Sequence, residues 1–120
     1  MSEKMVVVCN GDEGKNIMPT LIFASSGLAL DYEVHVFICP AGTRWVLKDE
    51  LEMLGTPKGM PNPVKLFNDI LDLGGKVVLC ELALENKDVT PDQLRDPRIL
   101  IEKAPPFLMG AEGAEMTYVF

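Results

Sequence analysis

Three short, mainly β-branched apolar runs recur along this 120-residue chain: MVVVC ending at Cys9, VHVFIC ending at Cys39, and KVVLC ending at Cys80. Runs of this kind suit strands covered on both faces, the condition of a parallel sheet held between helical layers. Parallel strands need a long crossover, and the 30 residues between Cys9 and Cys39 are about the length of one βαβ unit.

The segments between the runs supply the crossovers. A helix is predicted from Met18 to Leu30, with Pro19 tolerated in its first turn. It is apolar nearly all round, so it should be buried on more than one side, and a subunit interface is one way to achieve that. Leu47, Leu51 and Leu54 recur at helical spacing within Arg44–Leu54. The Gly- and Pro-rich stretch from Gly55 to Pro63 reads as a loop.

Asn62 then caps a helix with Pro63 at its first position, Val64, Phe67, Ile70 and Leu71 forming its buried stripe and Gly74 ending it. A short helix begins at or just after Cys80, and Thr90, Pro91 and Gln93 give a second start signal. Arg98–Ile101 and Met116–Phe120 are the remaining strand candidates, with a turn or short helix through Gly110–Ala114. This alternation predicts a single domain over residues 1–120, a three-layer α/β/α sandwich around a mainly parallel sheet of about five strands.

Charge and cysteine usage narrow the function. The net charge of −7, the pI of about 4.6 and the scattered lysines and arginines argue against direct nucleic-acid binding. Three cysteines, an odd number set behind apolar runs, point to free thiols in a reducing cytoplasm rather than to a disulfide framework. The N-terminus runs directly into a strand, with no export signal. The uncharged, mainly apolar stretch from Ile17 to Leu30 is 14 residues, short of the roughly 18 that would span a bilayer.

An open parallel sheet binds its ligands at the carboxyl ends of its strands. Cys9, Cys39 and Cys80 all fall at that edge, with Lys15 and Trp45 in the segments that follow the first two. Among the thiols, Cys80 is the catalytic candidate, because a helix start directly after it favours the thiolate. Acidic Glu81 opposes that effect unless Lys15 or another cation reaches the sulfur. Cys9 and Cys39 end apolar strands with no helix immediately behind them, so packing as small hydrophobes is the leading reading for both. For Trp45, packing is favoured over lining a pocket.

No cofactor or metal site is expected. Short Cys-x-x-Cys spacings are missing from the sequence, and the three thiols could meet on a soft metal only if they shared a face of the sheet. GDEGK at Gly11–Lys15 has the wrong spacing for a phosphate-binding loop and carries Asp12 and Glu13, so it reads as a surface turn. His35, the sole histidine, lies among apolar strand residues and reads as structural.

The stretch GGKVVLCELALENKDVTPDQL resembles the centre of the DsrE/DsrF-like family, sulfur-relay proteins that include the TusD-type subunits of transfer-RNA thiolation. The resemblance is carried by Gly75, the strand residues Val77 to Leu79, Cys80, and Ala83 in the helix that follows. The order of the remaining elements agrees, down to a last hydrophobic strand in MTYVF. It implies a small α/β protein that forms homo- or hetero-oligomers, often trimers or hexamers. It also implies a cysteine, here Cys80, that takes sulfur as a persulfide from a donor protein and hands it to an acceptor.

The expectation is therefore a cytoplasmic persulfide carrier, with sulfurtransferase activity in that sense. Two alternatives accompany it: an oligomeric scaffold or small-ligand-binding subunit without catalysis, and a thiol redox sensor using two of the three cysteines.

Overall fold

The computed structural model describes residues 3–120. Five strands, β1 (Lys4–Cys9), β2 (Glu33–Ile38), β3 (Lys76–Cys80), β4 (Leu100–Glu102) and β5 (Met116–Val119), form one sheet in the order β4-β3-β2-β1-β5. Every neighbouring pair is parallel. The helices are α1 (Gly14–Ala29), α2 (Pro63–Asp72), α3 (Leu82–Asn86) and α4 (Ala104–Gly110). The α/β fold read from the sequence is the one found.

Period-two alternation sorts the strand residues onto two faces. Met5, Val7 and Cys9, then Val34, Val36 and Ile38, then Val77 and Leu79 pack with Ile17 and Leu21 of α1 and Phe67 and Ile70 of α2. Val6, Phe37, Val78 and Cys80 point the other way, onto Phe107 of α4 and Ala111 just beyond it. The second layer is thin, a seven-residue helix over a five-stranded sheet.

Several elements differ from expectation at their boundaries. α1 starts at Gly14, four residues early, because Glu13 and Asn16 form a reciprocal capping box in which the Glu13 N–H donates to Asn16 Oδ1 at 3.1 Å. Pro19 therefore falls in the second turn, where it has no N–H to offer the Lys15 carbonyl. Thr20, fully buried one residue on, satisfies its hydroxyl by donating to the Asn16 carbonyl at 2.7 Å.

The helix expected over Arg44–Leu54 is replaced by two 3-10 segments, Pro40–Val46 and Leu51–Leu54. Between them Asp49 adopts a positive φ of 66°. Tertiary pairing wins over local periodicity here: Arg95 N–H donates to the Val46 carbonyl at 2.8 Å and Lys48 N–H to the Gln93 carbonyl at 3.0 Å. The same pairing stops the capped segment after Thr90, which makes only a three-residue 3-10 turn, Pro91–Gln93. α2 follows its start signals, with Asn62 accepting from the Lys65 N–H at 3.1 Å and Pro63 at the first position.

β4 is shifted to Leu100–Glu102, and Pro105 and Pro106 fall in the first turn of α4, a helix not expected from the sequence. Prolines are harmless there, since the N–H groups of a first turn have no partner within the helix.

Candidate functional site

All three thiols lie at the carboxyl edge of the sheet, but strand alternation divides them. Cys9 belongs to the α1–α2 face, together with Ile38 and Leu79. Cys80 belongs to the α4 face, and Cys39, the residue just after β2, packs against the same cluster. The register Ile38↔Leu79 carries forward by one residue to set Cys39 level with Cys80 on adjacent strands. The sheet thus brings two of the three cysteines together.

Cys9 is enclosed. It has no exposed surface, and its thiol donates to the Gly11 carbonyl at 3.7 Å. Burial pushes its pKa up, only partly offset by hydrogen bonding from Thr20 and Gly11. The same Gly11 carbonyl accepts the Trp45 indole N–H at 3.1 Å, and Trp45 is 1% exposed with the Arg44 guanidinium 4.5 Å above its ring. Trp45 therefore ties the 3-10 segment after β2 to the loop after β1. Gly42 completes this knot, since a Cβ there would meet the Cys9 and Gly11 carbonyl oxygens at 3.2 Å.

Lys15 extends into solvent from the first turn of α1 and pairs with Glu13 at 3.7 Å. It stands on the helix that covers the Cys9 face, opposite the face that holds Cys80.

Cys80 is 4% exposed. The chain turns into α3 immediately behind it, with Glu81 as the capping residue. Glu81 itself is exposed and 3.9 Å from the Lys103 ammonium, so its charge is partly balanced and largely screened by solvent. Its N–H donates to the Glu102 carbonyl at 2.9 Å, which holds the strand-to-helix junction against β4. Cys39 is half-buried; burial raises its pKa, and the neighbouring Cys80 and Cys9 thiolates raise it further.

Two residues not expected from sequence lie on the Cys80 face of the sheet. Glu102 pairs in register with Cys80 across β3 and β4. Its Oε1 is buried without a hydrogen-bond partner, while Oε2 lies 3.3 Å from the Lys76 ammonium. The period-two spacing of Lys76, Val78 and Cys80 was the one available signal for Lys76, since it puts all three on one face. Glu102 had none, because the pairing partner of β3 could not be read from the chain.

His35 is on the same face but at the opposite end of β2, four residues before Cys39, or about 13 Å at 3.3 Å per residue. Its Nε2 lies 2.6 Å from Glu33 Oε2, a contact that holds the Glu33 carboxyl below its usual pKa, and its Nδ1 is buried without a partner. Among the described residues, no three His, Cys, Asp or Glu side chains converge in a way that could hold a metal ion.

A groove of about 460 Å³ is lined by Pro40, Leu82, Glu85 and Asn86, of which Pro40 directly follows Cys39 and Leu82 stands two residues after Cys80. A smaller cavity of about 170 Å³ lies over the loops after β1 and β2, with Asp12, Arg44 and Lys87 in its walls. Among the described residues, no helix is long and apolar enough to cross a membrane.

The sequence model of the DsrE/DsrF-like family matches residues 3–117. Among solved structures, the crystal structure of the ychN protein from E. coli superposes with a TM-score of 0.77 at 14% identity, over 100% of both chains. At that identity the likeness speaks for the fold. No curated protein matches the sequence at a significant level.

Proposed function

The chain belongs to the DsrE/DsrF-like family, and from that premise we propose that it is a sulfur-relay protein whose Cys80 carries sulfane sulfur as a persulfide. The observation that carries this reading is the position of Cys80: last residue of β3, at the ligand edge of a parallel sheet, with α3 beginning directly behind it. Attack of a thiolate on the outer sulfur of a donor persulfide requires an accessible nucleophile and a departing thiolate, and no separate acid–base pair. The groove lined by Pro40, Leu82, Glu85 and Asn86 is the approach for a partner's thiol.

Free thiols of this kind persist in a reducing compartment, so the cytoplasm belongs to the proposal. So do donor and acceptor proteins, and self-association. Phe23, Leu30, Leu108, Met109 and Val119 are exposed apolar side chains that support the last of these.

A second reading, an oligomeric scaffold or ligand-binding subunit with Cys80 as a packing residue, is favoured by the 4% exposure of that cysteine. Radiolabelled persulfide sulfur separates the two. A relay protein takes up label in the native state and loses that uptake in Cys80→Ser, with its circular dichroism unchanged. Equal uptake by Cys80→Ser removes Cys80 from the role, and assembly that survives without any native labelling favours the scaffold.

A further inference from the structure

We propose that Cys39 and Cys80 form a dithiol pair that closes to an intrachain disulfide, with Cys39 acting as the resolving thiol for sulfur carried on Cys80. The pairing itself stands on the geometry alone; its use in sulfur release rests on the relay function proposed above.

Register provides the first argument. β2 and β3 pair through Phe37↔Val78 and Ile38↔Leu79, which makes Cys39 and Cys80 the next level pair. Cys39 keeps an extended backbone, φ −70° and ψ 162°, and its N–H still donates to the Cys9 carbonyl of β1 at 3.0 Å, so β2 holds its strand course through that residue, one step beyond the last β2–β3 pair. Neighbouring strands lie about 4.8 Å apart, within the roughly 4.4–6.8 Å between Cα atoms that a disulfide accepts.

Facing is the second. Cys39 and Cys80 project to the α4 side and share one apolar cluster, whereas Cys9 projects to the α1–α2 side with its thiol directed at the Gly11 carbonyl. A strand would have to flip for Cys9 to join the pair. After burial, the nearness of Cys80, and then of Cys9, is what raises the Cys39 pKa, in keeping with the juxtaposition. Accessibility is graded as well: Cys39 is half-buried while Cys80 is 4% exposed, so the more open thiol stands beside the more enclosed one.

The chemistry balances without an external oxidant when Cys80 holds a persulfide. The Cys39 thiolate attacks Cys80 Sγ, a Cys39–Cys80 sulfur–sulfur bond forms, and the bond from Cys80 Sγ to the outer sulfur breaks. That outer sulfur departs as hydrosulfide with the electron pair, and the proton lost by Cys39 passes to water. The Cys39 thiol is oxidised to the disulfide level while the sulfane sulfur is reduced to sulfide. From the dithiol state, a low-molecular-weight disulfide reaches the same product by two exchange steps, releasing two thiols.

Two arms keep the pairing and the relay reading distinguishable. In the first, the reduced chain is equilibrated with glutathione disulfide, and non-reducing peptide mapping is combined with thiol titration. The pairing predicts a Cys39–Cys80 linkage that leaves one of the three thiols free, unchanged in Cys9→Ala and lost in Cys39→Ser. A linkage to Cys9, or stable mixed disulfides on both Cys39 and Cys80, overturns it. In the second, a persulfide donor is added. Release of sulfide with Cys39–Cys80 closure in the wild type, and a persistent persulfide in Cys39→Ser, support the resolving role. A wild-type persulfide as persistent as that of Cys39→Ser overturns it. Closure with glutathione disulfide but no sulfur uptake from the donor retains the pair and defeats the relay reading.

Discussion

Cys80 lies level with Glu102 of the neighbouring strand, and that carboxylate divides its oxygens between the Lys76 ammonium at 3.3 Å and a buried position with no partner. The Cys80 sulfur therefore shares its face with a balanced ion pair rather than with a lone cation.

Changing one member of that pair should alter the reactivity of Cys80. Glu102→Gln leaves the Lys76 ammonium unopposed, and unit charges at side-chain distances in a partly solvated site justify an increase of about threefold or more in the rate of Cys80 alkylation. Lys76→Gln should slow alkylation by a similar factor. Rates of iodoacetamide modification at fixed pH, read at the Cys80 peptide, check both; equal rates in the two variants would show that the pair does not act on the sulfur.

Gly75 is required for space rather than for backbone freedom. A Cβ there would lie 2.7 Å from Ile70 Cγ2 and 2.8 Å from the Ile70 carbonyl oxygen, the acceptor of the Gly75 N–H. Gly75→Ala should destabilise the fold by about 1–3 kcal/mol through overpacking, visible as a lower midpoint in urea. An unchanged midpoint would mean that the α2–β3 junction can yield.

Arg95 joins the segment after Thr90 to the Leu51–Leu54 turn. Its side chain is 7% exposed, meets Glu52 through two contacts of 2.9 Å, and lies 5.3 Å from the Phe67 ring centroid. Arg95→Met should cost about 1–3 kcal/mol, the usual penalty of leaving charged hydrogen-bond partners unmatched. Its hydrogen bonds also hold the Glu52 carboxyl below the ordinary value of 4.5. A carboxyl whose folded pKa is depressed stabilises above its unfolded pKa, and that contribution is lost as pH falls through the folded value. Wild-type stability should therefore decline below about pH 4.5 more steeply than that of Arg95→Met, as measured by urea titrations across the acid range.

Cys9 gives the opposite pH dependence. Burial raises its thiol above the ordinary value of 9.0, so the unfolded chain gives up this proton more readily than the folded one. Its contribution is complete below pH 9 and lost as pH rises through the folded pKa. The difference in stability between wild type and Cys9→Ala should therefore be constant to about pH 9 and shift against the wild type above it. A constant difference to pH 11 would show that Cys9 titrates alike in both states.

Legibility in the sequence varied with the range of the interactions. The apolar runs ending at Cys9, Cys39 and Cys80 marked three strands and their parallel pairing, because burial on both faces is written in local composition. The cap at Asn62 was readable for the same reason, as it depends on residues a few positions apart. Arg44–Leu54 was not, because its backbone pairs with Gln93 and Arg95, more than 40 residues on. At the edge of the sheet, the three cysteines could be placed along the strands but not sorted. Knowing which face each one takes requires the register of β1, β2 and β3, and with it come Glu102 and the Cys39–Cys80 juxtaposition.

The central claim is that Cys80 carries sulfur, and site-resolved mass spectrometry after brief incubation with a persulfide donor tests it most directly. Cys39→Ser is the chain to use, since it removes the neighbouring thiol that would consume the product. The account predicts one added sulfur atom on the Cys80 peptide, removed on addition of an acceptor thiol. An unmodified Cys80, whether alone or beside a modified Cys9, would contradict it.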